Sequence, residues 1–200
     1  MKLYYAPGAC SQAPHIALRE AGLGFEPVKT DIRAKRLEDG TDFRTINPKG
    51  AVPALALESG DVLTENAAVL QYIGDQSGGR TLLPDGGMRR YRVLEWLTYV
   101  SSELHKGFGP LWKGGSDEEK AKAREALGQK FDFVAEQLGE KPYITGDDFT
   151  LADAYLFVML GWTRIHDIDL NRWPKLAEYR ERVAARPAVR EALEVEGLLK

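Results

Sequence analysis

Cysteine is almost absent from this 200-residue sequence, with Cys10 the only one. A lone cysteine excludes an intrachain disulfide and a multi-cysteine zinc site. It fits a reducing compartment such as the cytoplasm. An excess of charge of one sign is also missing. Twenty-seven Lys and Arg against 30 Asp and Glu leave a formal net charge of −3. That argues against a nucleic-acid or anionic-membrane partner, which needs a basic face, but leaves room for a local basic pocket. No apolar run approaches the roughly 20 residues of a spanning helix. The opening Met1-Lys2-Leu3-Tyr4-Tyr5 reaches a turn at Ala6-Pro7-Gly8 without the apolar core of a signal peptide, so none is expected. Repeats and low-complexity tracts are lacking too.

What is present is ordinary globular composition, with 44% hydrophobic and 28% charged residues, in a chain long enough to bury a core without staples. Leu3-Tyr4-Tyr5 reads as a strand stopped by Pro7-Gly8. Ser11 can cap a helix with Pro14 in its first turn, and Ala21-Gly22 ends it. Phe25 to Thr30 reads as a second strand, so the opening is a βαβ unit with parallel pairing. Residues 31–50 are polar, with a short helix expected over Asp42 to Ile46. Residues 54–57 and Val62-Leu63 flank the turn Ser59-Gly60-Asp61 and predict an antiparallel hairpin. A helix then runs to about Gln76. Ser77-Gly78-Gly79 and Pro84-Asp85-Gly86-Gly87 are dense in breakers and make the linker. Beyond it the apolar spacing turns helical throughout. One long helix is expected from Met88 to about Trp112, then helices over 117–138, 150–164, 174–185 and 187–194. The plan is a small α/β domain over 1–80 and an all-helical domain over 88–200.

Several residues have chemistry available. Cys10 sits between a strand and a helix, where free N–H groups and the helix dipole stabilise a thiolate. The competing reading is a small buried core residue. With no second cysteine, any disulfide exchange needs an external thiol. Val52-Pro53 precedes a strand; it is a rigid turn, or, if cis, a backbone that can pair with an extended peptide ligand. Thr64-Glu65-Asn66 stands at a helix start, where N–H donors face a carboxylate and Glu65 can accept from an ammonium; simple capping is the alternative. Ser102-Glu103-Leu104-His105-Lys106 is a polar cluster late in the long helix, either a solvated face or a hydrogen-bonding partner for a thiol through His105. Thr150-Leu151-Ala152-Asp153 has capping-box spacing, with Phe149 as a hydrophobic staple, and is a folding signal.

The blocks KLYYAPGACSQAPHIALRE, INPKGAVPAL, LTENAAVLQYI, SSELHKGFGPL and TLADAYLF, in that order and spacing along nearly the whole chain, resemble those of a bacterial beta-class glutathione transferase. The resemblance implies an α/β thioredoxin-like N-terminal domain followed by an all-α C-terminal domain, assembled as a homodimer. It implies glutathione as co-substrate, no metal, and a cytoplasmic detoxification enzyme. Cys10 would face the glutathione sulfur, with His105 and the hydroxyl of Ser11 beside it as the other catalytic candidates. Val52, next to a cis Pro53, would pair with the cysteinyl backbone. Glu65 and Asn66 would hold the γ-glutamyl end, and Lys35 the glycyl carboxylate. Thr98, Ser102, Glu103, His105 and Lys106 match site positions, some reached from the partner subunit. Two positions depart from the pattern: Asn66 stands where a small residue is common, and Thr98 where Asn is frequent.

The activity so implied is attack of a glutathione thiolate on a small hydrophobic electrophile. Cys10 would add thiol transfer or peroxide reduction, since a thiol need not sit beside another thiol to ionise it. A glutathione or hydrophobic-ligand binder without catalysis is the alternative, and a pure interaction module on the same fold is a third reading. The walls of the second-substrate pocket, with Tyr5, Phe108, Leu111, Trp112 and Trp162 as candidates, cannot be told from core by spacing.

Overall fold

The computed structural model describes residues 1–78 and 82–199. Gly79, which belongs to the expected linker, and Arg80, which closes the expected first domain, lie outside the described residues, as do Thr81 and Lys200.

The fold opens with β1 (Lys2–Tyr5), α1 (Gln12–Ala21) and β2 (Glu26–Asp31). The short apolar strand β1 is buried along all but its first residue. It pairs in parallel with β2, Leu3 opposite Pro27 and Tyr5 opposite Lys29. A two-residue strand β3 (Arg36–Leu37) follows, pairing antiparallel with β2. Sequence reading missed it, because two residues, one charged and one apolar, are too short a run to show an alternating pattern. The helix expected over 42–46 is a 3-10 turn at Phe43–Thr45, started by the Asp42 side chain accepting from the Arg44 N–H. The hairpin is β4 (Ala54–Ala56) and β5 (Val62–Thr64). Its first strand runs antiparallel to β1, so the sheet order is β3-β2-β1-β4-β5, with β1 central. This is the mixed sheet of a thioredoxin-like domain, followed by α2 (Asn66–Gln76).

Ser11 occupies the position before α1, yet its side chain makes no cap bond. The expected cap is corrected: the hydroxyl turns back to Ala6, accepting from its N–H at 3.1 Å and donating to its carbonyl at 3.4 Å. It braces the β1–α1 turn, while the first N–H groups of the helix go to backbone carbonyls, Gln12 to Ala9 at 3.0 Å and Ala13 to Cys10 at 3.1 Å.

The helical part holds α3 (Gly87–Tyr99), a π-helical turn at Val100–His105, α4 (Gly109–Trp112), α5 (Asp117–Leu138), α6 (Leu151–Ile165), α7 (Pro174–Ala184) and α8 (Pro187–Val195). The continuous helix expected from Met88 to Trp112 is thus interrupted. Gly107 lies in the break, and a Cβ there would stand 2.8 Å from the Leu127 side chain of α5, so a larger residue would have to push that side chain aside. The α6 start carries the expected capping box, with Asp153 accepting from the Thr150 N–H and hydroxyl at 2.8 Å each.

A large apolar core runs through both parts, and a smaller cluster of Tyr4, Phe43 and Ala54 lies apart from it. Leu3, Ile16, Leu55 and Leu70 from the sheet side join Leu97, Leu104, Leu151 and Tyr155 from the helical side, all essentially inaccessible. Each large apolar side chain buried this way contributes about 1.5–3 kcal/mol. The expected linker adds to it: Leu82 and Leu83 are buried, and Leu82 accepts from the Leu151 N–H at 3.0 Å. Among the described residues no helix is long and apolar enough to cross a membrane.

Candidate active site

The carboxyl end of β1, the turn before β4 and the start of α2 meet the π-helical turn and α4 across a cavity of about 440 Å³. Cys10, Val52, Pro53, Glu65, Asn66, His105 and Lys106 line it, together with Tyr155, Ser101, Lys49, Trp112 and Lys113. The π-helical turn matters here, because such turns re-aim side chains inside helices and occur often at functional sites. Ser101 and His105 reach this cavity from that turn, and Gly109 and Trp112 from α4 just beyond it.

Cys10 is partly buried, and its Sγ donates to the Val52 carbonyl at 3.3 Å. Val52–Pro53 is a cis peptide. Burial pushes the Cys10 thiol up to about 12, against the opposing pull of the Cys10 and Ser11 N–H groups. The expected thiolate at the helix start is corrected accordingly. The N–H donors are there, but desolvation of the charged form outweighs them. Cys10 is a protonated thiol and a donor at neutral pH.

His105 Nδ1 lies 2.6 Å from the Tyr155 hydroxyl. Burial lowers the His105 pKa, and the Lys106 charge lowers it further, so the ring is neutral at pH 7. Burial also holds the Tyr155 phenol well above its ordinary value, keeping it protonated. The edge of Trp162 closes on His105 with ring centroids 4.9 Å apart.

At the other end, Glu65 has φ +71, an uncommon backbone state for a residue with a Cβ and one that gathers at ligand sites. Its carboxylate pairs with Lys49 at 2.5 Å. Asn66 is only 6% exposed, yet neither its side-chain N nor its O finds a hydrogen-bond partner. A buried carboxamide without partners costs about 1–3 kcal/mol and points to a polar guest.

The remaining expected positions stand elsewhere. Ser11 is wholly enclosed, bonded to Ala6, and does not line the cavity. Lys35, at φ +57, donates to the Gly50 carbonyl at 2.7 Å. Thr98 and Ser102 are exposed, and the Thr98 hydroxyl bonds the Leu94 carbonyl. Glu103 pairs with Lys130 of α5 at 2.9 Å. Tyr5, Phe108, Leu111 and Trp162 are core, whereas Trp112 is 50% exposed and forms a wall. Sequence reading overlooked Tyr155, Ser101, Lys49 and Lys113. Tyr155 lies inside the helix expected over 150–164, and nothing in its spacing marks the hydroxyl that reaches a distant histidine.

Comparison with known proteins finds two family descriptions on the chain. Residues 8–76 match the glutathione S-transferase N-terminal domain and residues 94–187 the C-terminal domain. The chain is similar to glutathione S-transferase GstA of Escherichia coli O157:H7, 46% identical over 200 residues, covering 99% of this chain and all of that one. Among solved structures it resembles a sphingomonad glutathione S-transferase complexed with glutathione, at 48% identity, TM-score 0.95 and full coverage of both chains. The bacterial beta-class enzyme of Sphingomonas chungbukensis matches equally, at 48% identity, TM-score 0.95 and full coverage of both chains.

Proposed function

This chain belongs to the glutathione S-transferase family, as a transferase of the bacterial beta class, and we propose that its cavity binds glutathione between Val52 and Asn66 and conjugates it to a small hydrophobic electrophile. The observation that carries the reading is the buried, unpartnered Asn66 carboxamide in a cavity that also holds Cys10 and His105. Asn66 and the first N–H groups of α2 take the γ-glutamyl carboxylate, and Glu65 takes its ammonium. The Val52 backbone pairs with the cysteinyl unit. Residues 1–80 supply this half, and residues 88–200 supply the second-substrate wall, with the exposed face of Trp112 as its apolar platform.

The roles follow from the protonation states. Glutathione enters as a thiol. Its proton leaves to solvent, and the thiolate is held by the Cys10 S–H, the Cys10 and Ser11 N–H groups, and His105. We assign the Tyr155 phenol as donor to His105 Nδ1, which leaves the neutral ring one N–H, on Nε2, for the sulfur. The sulfur lone pair forms the C–S bond while the leaving group departs with its bonding pair. Ser11 acts indirectly, by shaping the turn. Lys35, as a second-tier cation behind Gly50, steadies the loop near the glycyl end.

Thr98 shares the exposed face of α3 with Met88 and Tyr91, which are 67% and 64% exposed, and the exposed Ser102 follows in the π-helical turn. We assign this face to a homodimer contact through which it reaches a partner's glutathione. Light scattering at micromolar concentration tests it, a monomer mass counting against it. A cytoplasmic detoxifying role accords with the lone cysteine.

The test of the main reading uses purified protein, glutathione and an aryl halide, with thioether and halide followed together. Stoichiometric appearance of both supports conjugation; tight glutathione binding without turnover would favour the binder. A second activity, thiol transfer through Cys10, is separated by Cys10→Ala. Lost disulfide reduction with only a partial fall in conjugation assigns the cysteine to exchange in addition to holding the guest thiolate.

A further inference from the structure

Among the described residues the half-buried arginines are Arg19, Arg90, Arg124, Arg180 and Arg186. All but one donate to an acceptor within the chain. Arg19 meets Glu191 at 3.0 Å, Arg90 meets Asp75 at 2.9 Å, Arg186 meets Glu20 at 2.6 Å, and Arg124 donates to the His166 carbonyl at 2.8 Å. The exception is Arg180 of α7, whose guanidinium has neither a hydrogen bond nor an ion pair among the described residues. It lies over the Phe157 ring, 5.4 Å from the centroid. Stacking engages the face of a guanidinium and leaves its in-plane fork of N–H donors available. A Cβ on Gly161 would stand 4.0 Å from Arg180 Nη2, so the fork reaches across α6 where that helix has no side chain. Phe157, Gly161 and Arg164 follow at i, i+4 and i+7 on this face of α6. Arg164 is exposed and also unpaired among the described residues. Burial lowers the Arg180 pKa, the Arg164 charge lowers it further, and Glu181 opposes them least. Both arginines line a cavity of about 440 Å³ that Leu160, Ile168 and Leu170 also line. Its two aspartates have other partners. Asp169 accepts from the Asn171 N–H and Nδ2 at 3.0 and 2.9 Å, and Asp167 stands 3.9 Å from Arg124 with its side chain 89% exposed. This cavity has no lining residue in common with the one that holds Cys10.

We propose that this cavity, flanked by α6, α7 and the segment joining them, is a second ligand site that takes a small organic carboxylate with a short apolar tail. The carboxylate sits between Arg164 and Arg180, and the tail lies against Leu160, Ile168 and Leu170. Two like charges held close together, one of them partly desolvated, are unfavourable until an anion bridges them. The Arg180 fork fits both oxygens of a carboxylate at once. The remaining lining sets the class of ligand. A site with an apolar wall and a few converging polar groups binds a guest that matches both halves. A free phosphate would leave the apolar wall uncovered, and its second charge would face Asp167 and Asp169 across the same cavity. The inference stands apart from conjugation and does not depend on it.

Isothermal titration of the whole protein with hexanoate, acetate and inorganic phosphate, in a carboxylate-free buffer of low ionic strength, tests it. Hexanoate should bind saturably at one site per chain. It should bind more than about tenfold tighter than acetate, because each methylene buried in full multiplies affinity about fourfold. Arg180→Gln and Arg164→Gln should each weaken hexanoate about tenfold, the loss of a hydrogen bond between charges, with the conjugation rate unchanged. Arg164 is exposed, so its variant keeps the test open if the Arg180 substitution unfolds α7. The absence of saturable hexanoate binding to the wild type would overturn the proposal. So would equal affinity in the wild type and in the folded variants, because hexanoate would then occupy another site, the Cys10 cavity included. Acetate or phosphate binding as tightly as hexanoate would overturn the ligand class, leaving only a general attraction of anions to two cations.

Discussion

Cys10 should be a slow nucleophile at neutral pH, and the size of the effect follows from its burial. With the thiol pushed up to about 12, the thiolate fraction at pH 7.5 is about 3 in 100,000. An ordinary cysteine near 8.5 would be about 9% ionised there, some 3,000-fold more. A more basic thiolate is intrinsically more nucleophilic, and a Brønsted slope of about 0.4–0.5 over that pKa gap returns roughly 40-fold. The net expectation is alkylation by iodoacetamide about 100-fold slower than free cysteine. Mass spectrometry of the intact protein, sampled from pH 6.5 to 10, gives the rate. Its logarithm should climb with unit slope and show no plateau below pH 10. A plateau centred at or below about 8.5 would refute the argument, because it would mean that the helix N–H groups outweigh desolvation after all. The linkage has a definite sign. The folded state prefers the neutral thiol, so this contribution to stability is complete below about pH 8.5 and declines as pH rises past it. Cys10→Ser should flatten that part of a stability profile measured by denaturant unfolding.

His105→Ala should lower kcat for conjugation by about tenfold, the equivalent of one hydrogen bond to a charged sulfur at about 1.5 kcal/mol; steady-state kinetics with saturating glutathione checks it, and no change would remove His105 from the chemistry. Because burial depresses the His105 pKa, its contribution to stability is complete above about 6.5 and is lost as pH falls below that, so wild type should lose more stability than His105→Ala between pH 7 and 5.5. Asp153→Ala should cost about 3–5 kcal/mol by urea unfolding, because it strands the Tyr179 hydroxyl, the Ile144 N–H and the Thr150 N–H and hydroxyl, all bonded to it at 2.8 Å. Gly74→Ala should destabilise by about 1–3 kcal/mol despite its better helix propensity, since the new Cβ would lie 2.6 Å from the Leu83 Cβ; a rise in Tm would show that the linker gives way freely.

The parts of the fold visible in sequence were those that local physics dictates. The βαβ opening, the hairpin around Ser59-Gly60-Asp61, and the helices begun by Pro174 and Pro187 each carry their own start, stop and period. What escaped was set by contacts across the chain. The π-helical turn at Val100–His105 leaves no periodic mark, because its residues read as one more turn of helix; in the break beyond it Gly107 comes close to Leu127, a residue of another helix. Strand β3 exists because β2 offers it an edge. Ser11 was a good local cap by residue type, yet the Ala6 N–H and carbonyl claimed its hydroxyl first. The cavity likewise draws on both parts of the chain. Cys10, Val52 and Glu65 come from one side and His105 and Tyr155 from the other, and no spacing rule links 10 to 105 or 105 to 155.

Desolvation of Cys10 looks at first like an obstacle to a site that must ionise a thiol, but it removes a conflict. Two sulfurs in one cavity cannot both carry charge without mutual repulsion, which raises whichever thiol ionises second. If Cys10 were the thiolate, the helix N–H groups would be spent on it and the guest sulfur would face an anion. With Cys10 held neutral, its S–H becomes a donor, and the same N–H groups are released to the guest. The Val52 carbonyl that now accepts the Cys10 hydrogen at 3.3 Å is a weak partner for a thiol, so a thiolate arriving nearby can take that hydrogen bond at little cost. The burial that makes Cys10 a poor nucleophile is therefore what fits it to stabilise someone else's.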